Sequence, residues 1–331
     1  MRGNKYKNMS KPILLSGVKP TARVHIGNYF GAMKQFVDLQ GEYQNFNFIA
    51  DYHALNQMMD DPTIIKKYTL ELAAAYLAVG LDPKKTVLFR QSDVPEVTEL
   101  NWIFNSLITP SYLQSAHAYK DAVAKKKEVN MGLFCYPVLM AADILIYNSD
   151  VVPVGKDQQQ HVEIACDLAR KFNNTYGEEV FKLPKALIWE GESLKGTDGE
   201  KMSKSKGNVI ELFEPEESIK KKVMSIKTDS KGVEDKKDPE ADNVFFYHKL
   251  FSAHTIDELR SRYENGGIGY KESKEILFAN MMAYLKPMRD KYFKLIKDEK
   301  YLNKVLADGA KRARKVAQIK MEKVRRAVGV R

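Results

Sequence analysis

Ile13-Leu14-Leu15-Ser16-Gly17-Val18-Lys19-Pro20-Thr21-Ala22-Arg23-Val24-His25-Ile26-Gly27-Asn28-Tyr29-Phe30 reads as strand, loop and helix in immediate succession. The apolar triplet Ile13-Leu14-Leu15 is a short buried strand, and Gly17 and Pro20 punctuate a loop. Past Gly27 the apolar positions Phe30, Met33 and Val37 recur at helical spacing. The same alternation repeats outward. A second strand is expected at 47–50, and Asp61-Pro62 supplies an N-cap followed by proline at the first helical position. That helix carries Ile65, Tyr68, Leu72, Ala75, Tyr76 and Val79 on one face and ends before Gly80 and Pro83. Thr86–Phe89 is the next strand. Val151–Val154 is another, leading through Gly155 into a helix with Val162, Ala165, Ala169, Phe172 and Tyr176 on one side. Strands alternating with helices predict an α/β domain with a mostly parallel sheet, running to about Trp189.

Beyond Gly191 the pattern changes to a Gly-, Ser- and Lys-rich loop through Asn208, then to helical periodicity with few strand-like runs. The expected organisation is an α/β domain over 1–207 and a helical domain over 208–331, with Thr228–Asn243 a long surface connection. The 331 residues suit two domains better than one. Hydrophobic residues at 44% and charged residues at 29% are ordinary for a soluble protein. No stretch approaches the roughly 18 uninterrupted apolar residues of a membrane span. The polar start, Met1–Ser10, reads as a frayed tail lacking a secretory core, which favours the cytoplasm. Cys135 and Cys166 lack C-x-x-C spacing and read as reduced structural thiols, and no metal-ligand cluster is visible. The net charge is +10, and residues 304–331 hold ten Lys and Arg against Asp308 and Glu322. A basic helix touching nucleic acid and a solvated helix face both fit that surplus.

Two familiar nucleotide signatures are missing: no G-x-x-x-x-G-K-[ST] loop occurs, and no G-x-G-x-x-G follows a strand. Their absence argues against a P-loop kinase or a nicotinamide enzyme. In their place stand His25-Ile26-Gly27-Asn28 at a helix start and Lys201-Met202-Ser203-Lys204-Ser205 in a glycine-flanked loop. A helix N-terminus offers N–H groups and positive dipole to a phosphate, and a glycine lets a nucleotide lie against the backbone. Two lysines three apart on a mobile loop can close over a triphosphate and stabilise the charge building on departing pyrophosphate. These two segments resemble the signatures of class I aminoacyl-tRNA synthetases.

Further blocks narrow the resemblance to the tryptophanyl branch of that family. They are Ser16–Thr21, Asp51-Tyr52-His53-Ala54, Tyr136–Ile144 and Val152–Gln158, in the family's order and spacing. The resemblance runs from about Ile13 to Ser205. It implies a Rossmann-like catalytic domain followed by a helical domain that binds the tRNA anticodon. It also implies ATP contacts from Lys19, Pro20, Thr21, Gly27, Asn28, Gly155, Lys156, Asp157 and Lys201, Met202, Ser203, Lys204 and Ser205, with His25, Asn28, Lys201 and Lys204 catalytic. Leu15, His53, Tyr136, Met140, Asp143 and Gln158 would contact tryptophan. Lys19 stands where members have glutamine, a cation that bears on the magnesium requirement, and Lys120 is a further candidate phosphate ligand. The implied partners are L-tryptophan, ATP with Mg²⁺ and tRNA(Trp), in a homodimer without a tightly bound metal.

Periodicity bears on the side-chain pocket independently. Tyr136, Met140, Asp143 and Tyr147 fall on one face of an otherwise apolar helix, so Asp143 is expected to be a buried carboxylate. Such a group either accepts the indole N–H, a donor with no acceptor capability, or is paired within the protein. Periodicity leaves both open. Asp157 likewise fits a helix N-cap as well as a ribose contact. His161 and His248 have no motif and read as surface or satisfied core residues. Tyr112, Phe134 and Phe245-Phe246-Tyr247 read as packing. Three other readings compete: the tyrosyl branch, disfavoured by the lack of a Gly-Gly-Ala-Thr segment; an RNA-binding relative without catalysis; and a related small-molecule ligase.

Overall fold

The repeating unit of apolar strand and amphipathic helix closes into one sheet covered on both faces. The computed structural model describes residues 11–21, 23–126, 128–188 and 194–331, without the side chains of Ala118 and Asp157. The polar tail expected at Met1–Ser10 and the expected end of the α/β part at Trp189 lie outside the described residues. β1 (Ile13–Val18) leads to a helical segment made of α1 (Ile26–Asn28), a π-helical turn over Tyr29–Met33 and α2 (Lys34–Leu39). β2 (Gln44–Ile49), α3 (Asp51–Met58), α4 (Pro62–Ala78) and β3 (Val87–Arg90) follow. Asp61 caps α4 as expected, accepting from the Thr63 and Ile64 amides. α5 (Glu96–Asn105), α6 (Pro110–Gln114), α7 (His117–Ala124) and α8 (Met131–Ile146) carry the chain to β4 (Val151–Val154). α9 (Gln159–Tyr176) then connects to β5 (Lys185–Ile188). Beyond residue 207 come α10 (Glu216–Met224), α11 (Asn243–Phe251), α12 (Ile256–Asn265), α13 (Tyr270–Leu295) and α14 (Glu299–Ala327).

The strand order is β3-β2-β1-β4-β5, and every pairing is parallel. This is an α/β fold of the expected Rossmann-like type with a helical C-terminal part. Buried alternation along the strands sorts side chains to two layers. Leu15, Phe46, Phe48, Val87 and Phe89 pack with α5, α8, α9 and the later turns of α14. Ile49 and Leu88 pack with the first helical segment, α4, α10, α11 and α13. α14 spans both layers, with Leu302 and Leu306 in one and Ala310 to Val324 in the other, so it wraps the β3 edge that would otherwise stand open. A side chain at Gly309 would run into the Leu88 carbonyl, which makes glycine the residue that permits this approach.

The chain leaves β1 toward β2 and β3 on one side and returns to β4 and β5 on the other. The carboxyl ends of β1 and β4 therefore flank a topological switch point, where open α/β sheets form their ligand crevice. The segments following β1, β2, β3 and β4 all emerge at this edge.

Candidate active site

His25 ends the loop after β1 and starts the first helix. Its Nδ1 accepts from the Asn28 amide at 3.3 Å, and Asn28 Oδ1 accepts from the His25 amide at 3.1 Å, a reciprocal capping box. Because Nδ1 is an acceptor, the imidazole proton sits on Nε2. Burial, and then the Lys204 charge, hold the His25 pKa at about 4, so the ring is neutral at neutral pH. A Cβ on Gly27 would lie 2.8 Å from the His25 ring and 3.1 Å from Met202 Sδ. Glycine is thus needed here for packing.

The lysine loop reaches this helix start through backbone pairing. The Ile26 amide donates to Ile210 at 2.9 Å, the Leu212 amide to Val24 at 3.0 Å, and His25 bridges Glu211. Ile26 N–H and Asn28 N–H are therefore already used, which narrows the free donors expected at the helix start. The loop is an ordered hairpin: Met202 N donates to Leu194, and Lys195 pairs with Lys201. Asn208 ties its two arms, donating to Asp198 and Lys201 and accepting from the Ser203 amide. Tyr247 of α11 donates to the Lys195 carbonyl at 2.6 Å, fastening the hairpin to the helical part. Lys204 is open to solvent at its surface, yet its surroundings desolvate the ammonium enough to hold its pKa below the usual lysine range, against the opposing pull of Glu211. Desolvation likewise lowers Lys19.

A second cluster lies at the ends of β2 and β3. His53, on α3, and Asp143, on α8, are buried, with His53 Nε2 2.9 Å from Asp143 Oδ2. Gln91, the residue after β3, donates from Nε2 to both Asp143 oxygens at 2.9 Å. Burial raises the Asp143 pKa, while His53 and Gln91 pull it down. Tyr136 lies on the same helix, its hydroxyl 3.0 Å from His161 Nε2 and its ring edge-on to His53. Leu15 joins the apolar cluster of α8, with Met140 packed against it.

The structure thus brings together His25, Gly27, Asn28, Met202 and Lys204, and separately Leu15, His53, Tyr136, Met140 and Asp143. Lys201, Ser203 and Ser205 belong to the same hairpin, with Ser203 Oγ 2.9 Å from Ser205 Oγ. Pro20 is buried and Thr21 half-buried after β1, while Gly155, Lys156 and Gln158 are exposed at the end of β4. The Asp157 side chain lies outside the described residues. Lys120 is exposed on α7, and among the described residues no hydrogen bond or ion pair joins it to the hairpin. Gln91 is the member of this cluster that sequence reasoning missed, while His161 is a buried histidine held by Tyr136, within the reading given to it. Gln91 had a legible signal: it opens the polar run Gln91-Ser92-Asp93 directly after a buried strand, where ligand-facing residues sit in such sheets. His248 is a satisfied core histidine, held by Ser252 at 2.7 Å and Ser273 at 3.0 Å.

Part of the basic surplus of the last helix is taken up within the fold. Arg312 donates to the Pro83 and Thr86 carbonyls, Arg314 to Glu96, Arg325 to Glu99 and the buried Lys320 to Val180. Arg325 thereby buttresses α14 against α5.

Comparison with known proteins agrees with this geometry. The class I tRNA synthetases (W and Y) match over residues 7–286. A tryptophan–tRNA ligase of Fusobacterium nucleatum is 47% identical over 317 residues, covering 96% of this chain and 97% of that one. One from Campylobacter jejuni is 48% identical over 319 residues, covering 96% and 99%. The crystal structure of the Campylobacter jejuni tryptophanyl-tRNA synthetase complexed with ADP and tryptophan is similar at a TM-score of 0.91, with 48% identity over 96% of this chain and 99% of that one. A tyrosyl-tRNA synthetase from Archaeoglobus fulgidus, at 18% identity and a TM-score of 0.66, shares the fold. The chain belongs to the class I tRNA synthetases of the tryptophan and tyrosine family.

Proposed function

We infer that this enzyme is a tryptophan–tRNA ligase that activates L-tryptophan with ATP and transfers it to tRNA(Trp). The tryptophan carboxylate attacks the α-phosphorus, giving tryptophanyl adenylate and diphosphate. A terminal ribose hydroxyl of the tRNA then takes the acyl group and AMP leaves. Near-full-length similarity to tryptophan–tRNA ligases supports this reading. The observation that carries the choice of amino acid is the buried Asp143 carboxylate, an acceptor at the pocket for a side chain whose one polar group is a donor.

In this reading Lys19, Pro20, Thr21, Gly27, Asn28, Gly155, Lys156, Asp157 and the 201–205 loop meet ATP, while Leu15, His53, Tyr136, Met140, Asp143 and Gln158 meet tryptophan. His25 offers Nε2–H to the phosphates, and Lys201 and Lys204 hold the leaving diphosphate; the work is positioning and charge stabilisation. Mg²⁺ would arrive with the nucleotide. The part beyond 207 would bind the anticodon, with exposed Lys315, Lys323 and Arg326 of α14 adding charge for tRNA. Among the described residues no helix is long and apolar enough to cross a membrane. A homodimer in the cytoplasm fits this role.

Amino-acid-dependent exchange of pyrophosphate into ATP, run with each amino acid separately, tests the activity. Tryptophan should support exchange and tyrosine should not. Asp143→Ala should cost about 1–3 kcal/mol of tryptophan discrimination with ATP use unchanged. An analogue with sulfur in place of the indole N–H should lose affinity for the parent enzyme and little more for the variant. Additive enzyme and ligand changes in a folded variant would remove Asp143 from indole recognition.

A further inference from the structure

Asp143 has three of its acceptor positions filled before any ligand arrives. His53 approaches Oδ2 at 2.9 Å, and Gln91 Nε2 lies 2.9 Å from both oxygens. An ionised carboxylate offers about four such positions, so one on Oδ1 remains. Gln91 is only 1% exposed, and its amide can face Asp143 in one sense alone, because turning it would set a carbonyl against a carboxylate. That orientation has a consequence at the other end: Gln91 Oε1 is buried and meets no donor among the described residues. An unmatched buried carbonyl is a cost that native cores avoid. Its retention locates the purpose of this side chain at the N–H end.

We propose that Gln91 is a positioning residue for tryptophan recognition, whose two-pronged amide contact sets the plane of the Asp143 carboxylate and directs the remaining Oδ1 position to the indole N–H. The proposal rests on the reading of Asp143 given above. The groups around the carboxylate explain why such a residue is needed. Asp51, at the start of α3, opposes ionisation of Asp143, as does burial, and Asp51 is itself held by the Ser92 amide at 3.0 Å. Tyr147, one turn further along α8, faces Asp143, with Glu96 of α5 beyond it; His161 of α9 faces Tyr136 instead. Among the described residues, His53 and Gln91 favour the charged form. Without the Gln91 N–H shared between its oxygens, the carboxylate would take up a proton at higher pH and turn a donor, rather than an acceptor, toward the indole.

The test measures exchange kinetics for tryptophan and for the sulfur analogue between about pH 6 and pH 9, in Gln91→Met and Gln91→Glu. In Gln91→Met, tryptophan KM should rise about tenfold near neutrality, more at low pH and less at high pH, while the analogue's KM, the ATP KM and kcat stay put. Gln91→Glu should show the opposite trend. At low pH its carboxyl proton is shared with Asp143 and a donor is kept; at high pH both ionise and tryptophan binding is lost. Equal losses for tryptophan and analogue with a flat pH profile in both variants would overturn the proposal and leave Gln91 a space-filling residue. Asp143→Ala separates the two layers. If it keeps the parent's preference for tryptophan over the analogue, the reading of Asp143 fails; if it loses that preference while Gln91→Met keeps it, only the role of Gln91 fails.

Discussion

At Gly27 one missing side chain holds two signatures together. His25 curls back to cap its own helix, Met202 comes up from the lysine hairpin, and a single Cβ would strike both. The neutral His25 ring and the partly desolvated Lys204 then sit close enough for the lysine charge to lower the histidine pKa. In the proposed mechanism, a positive group beside a neutral donor serves charge that develops on a phosphate. Lys204→Ala should therefore slow adenylation by about 2–4 kcal/mol of barrier while leaving tryptophan affinity near its parent value. Lys201→Ala should act in the same direction. Single-turnover rates and equilibrium binding check this, and near-normal rates in both variants would separate the hairpin from the chemistry.

At the scale of elements, α14 shows how a helix that reads as basic can serve chiefly as structure. Of its helically spaced positions Leu302, Val305, Leu306, Gly309, Ala313 and Val316, all are buried except Val305 and Val316, which are half-buried, but cations on its flanks are drawn into ties with the segment before β3 and with α5. Charge counting along the chain cannot see Glu96 and Glu99, which are more than two hundred positions away in sequence. Gly309 lies against the Leu88 carbonyl, where a Cβ would collide. Gly309→Ala should lever the helix off the sheet edge and destabilise the fold by about 1–3 kcal/mol, despite the better helix propensity of alanine. Denaturant unfolding measures it, and an unchanged or raised midpoint would show that the contact relaxes without cost.

The whole molecule carries a pH signature in Lys320. Its ammonium is buried at the meeting of α14 with the segment before β5, bonded to the Val180 carbonyl and 5.1 Å from the centre of the Phe181 ring. Burial first, and then Lys323 and Lys182, bring its pKa from 10.5 to about 8. Between those values the unfolded chain binds the proton that the folded chain has lost, so this group's contribution to stability rises with pH through that window. Tyr76 and Tyr147, whose pKa values burial raises, act in the opposite sense once pH exceeds their ordinary 10.0. Stability measured from about pH 8 to about pH 9.5 should climb in the parent and climb less in Lys320→Met. Parallel profiles for the two would place the proton elsewhere.

What was legible from the sequence depended on neighbours a few positions apart. The Ile13–Leu15 strand, the Asp61 cap and the burial of Asp143 follow from hydrophobic period, turn chemistry and capping, which act over one or two turns. The short, polar-flanked β5, with Lys185 in a run of four residues, carries too little pattern to be seen, and α3 follows β2 with no capping side chain to announce it. Periodicity could bury Asp143 but could not say what met it there. Its partners, His53 and Gln91, lie 90 and 52 positions away and reach it only because parallel strands deliver their carboxyl ends to one edge. In the same way His25 meets Lys204, and the last helix spends its charge, through tertiary packing alone. A buried charge is stable only where partners converge on it, and convergence belongs to the topology, not to any window of residues.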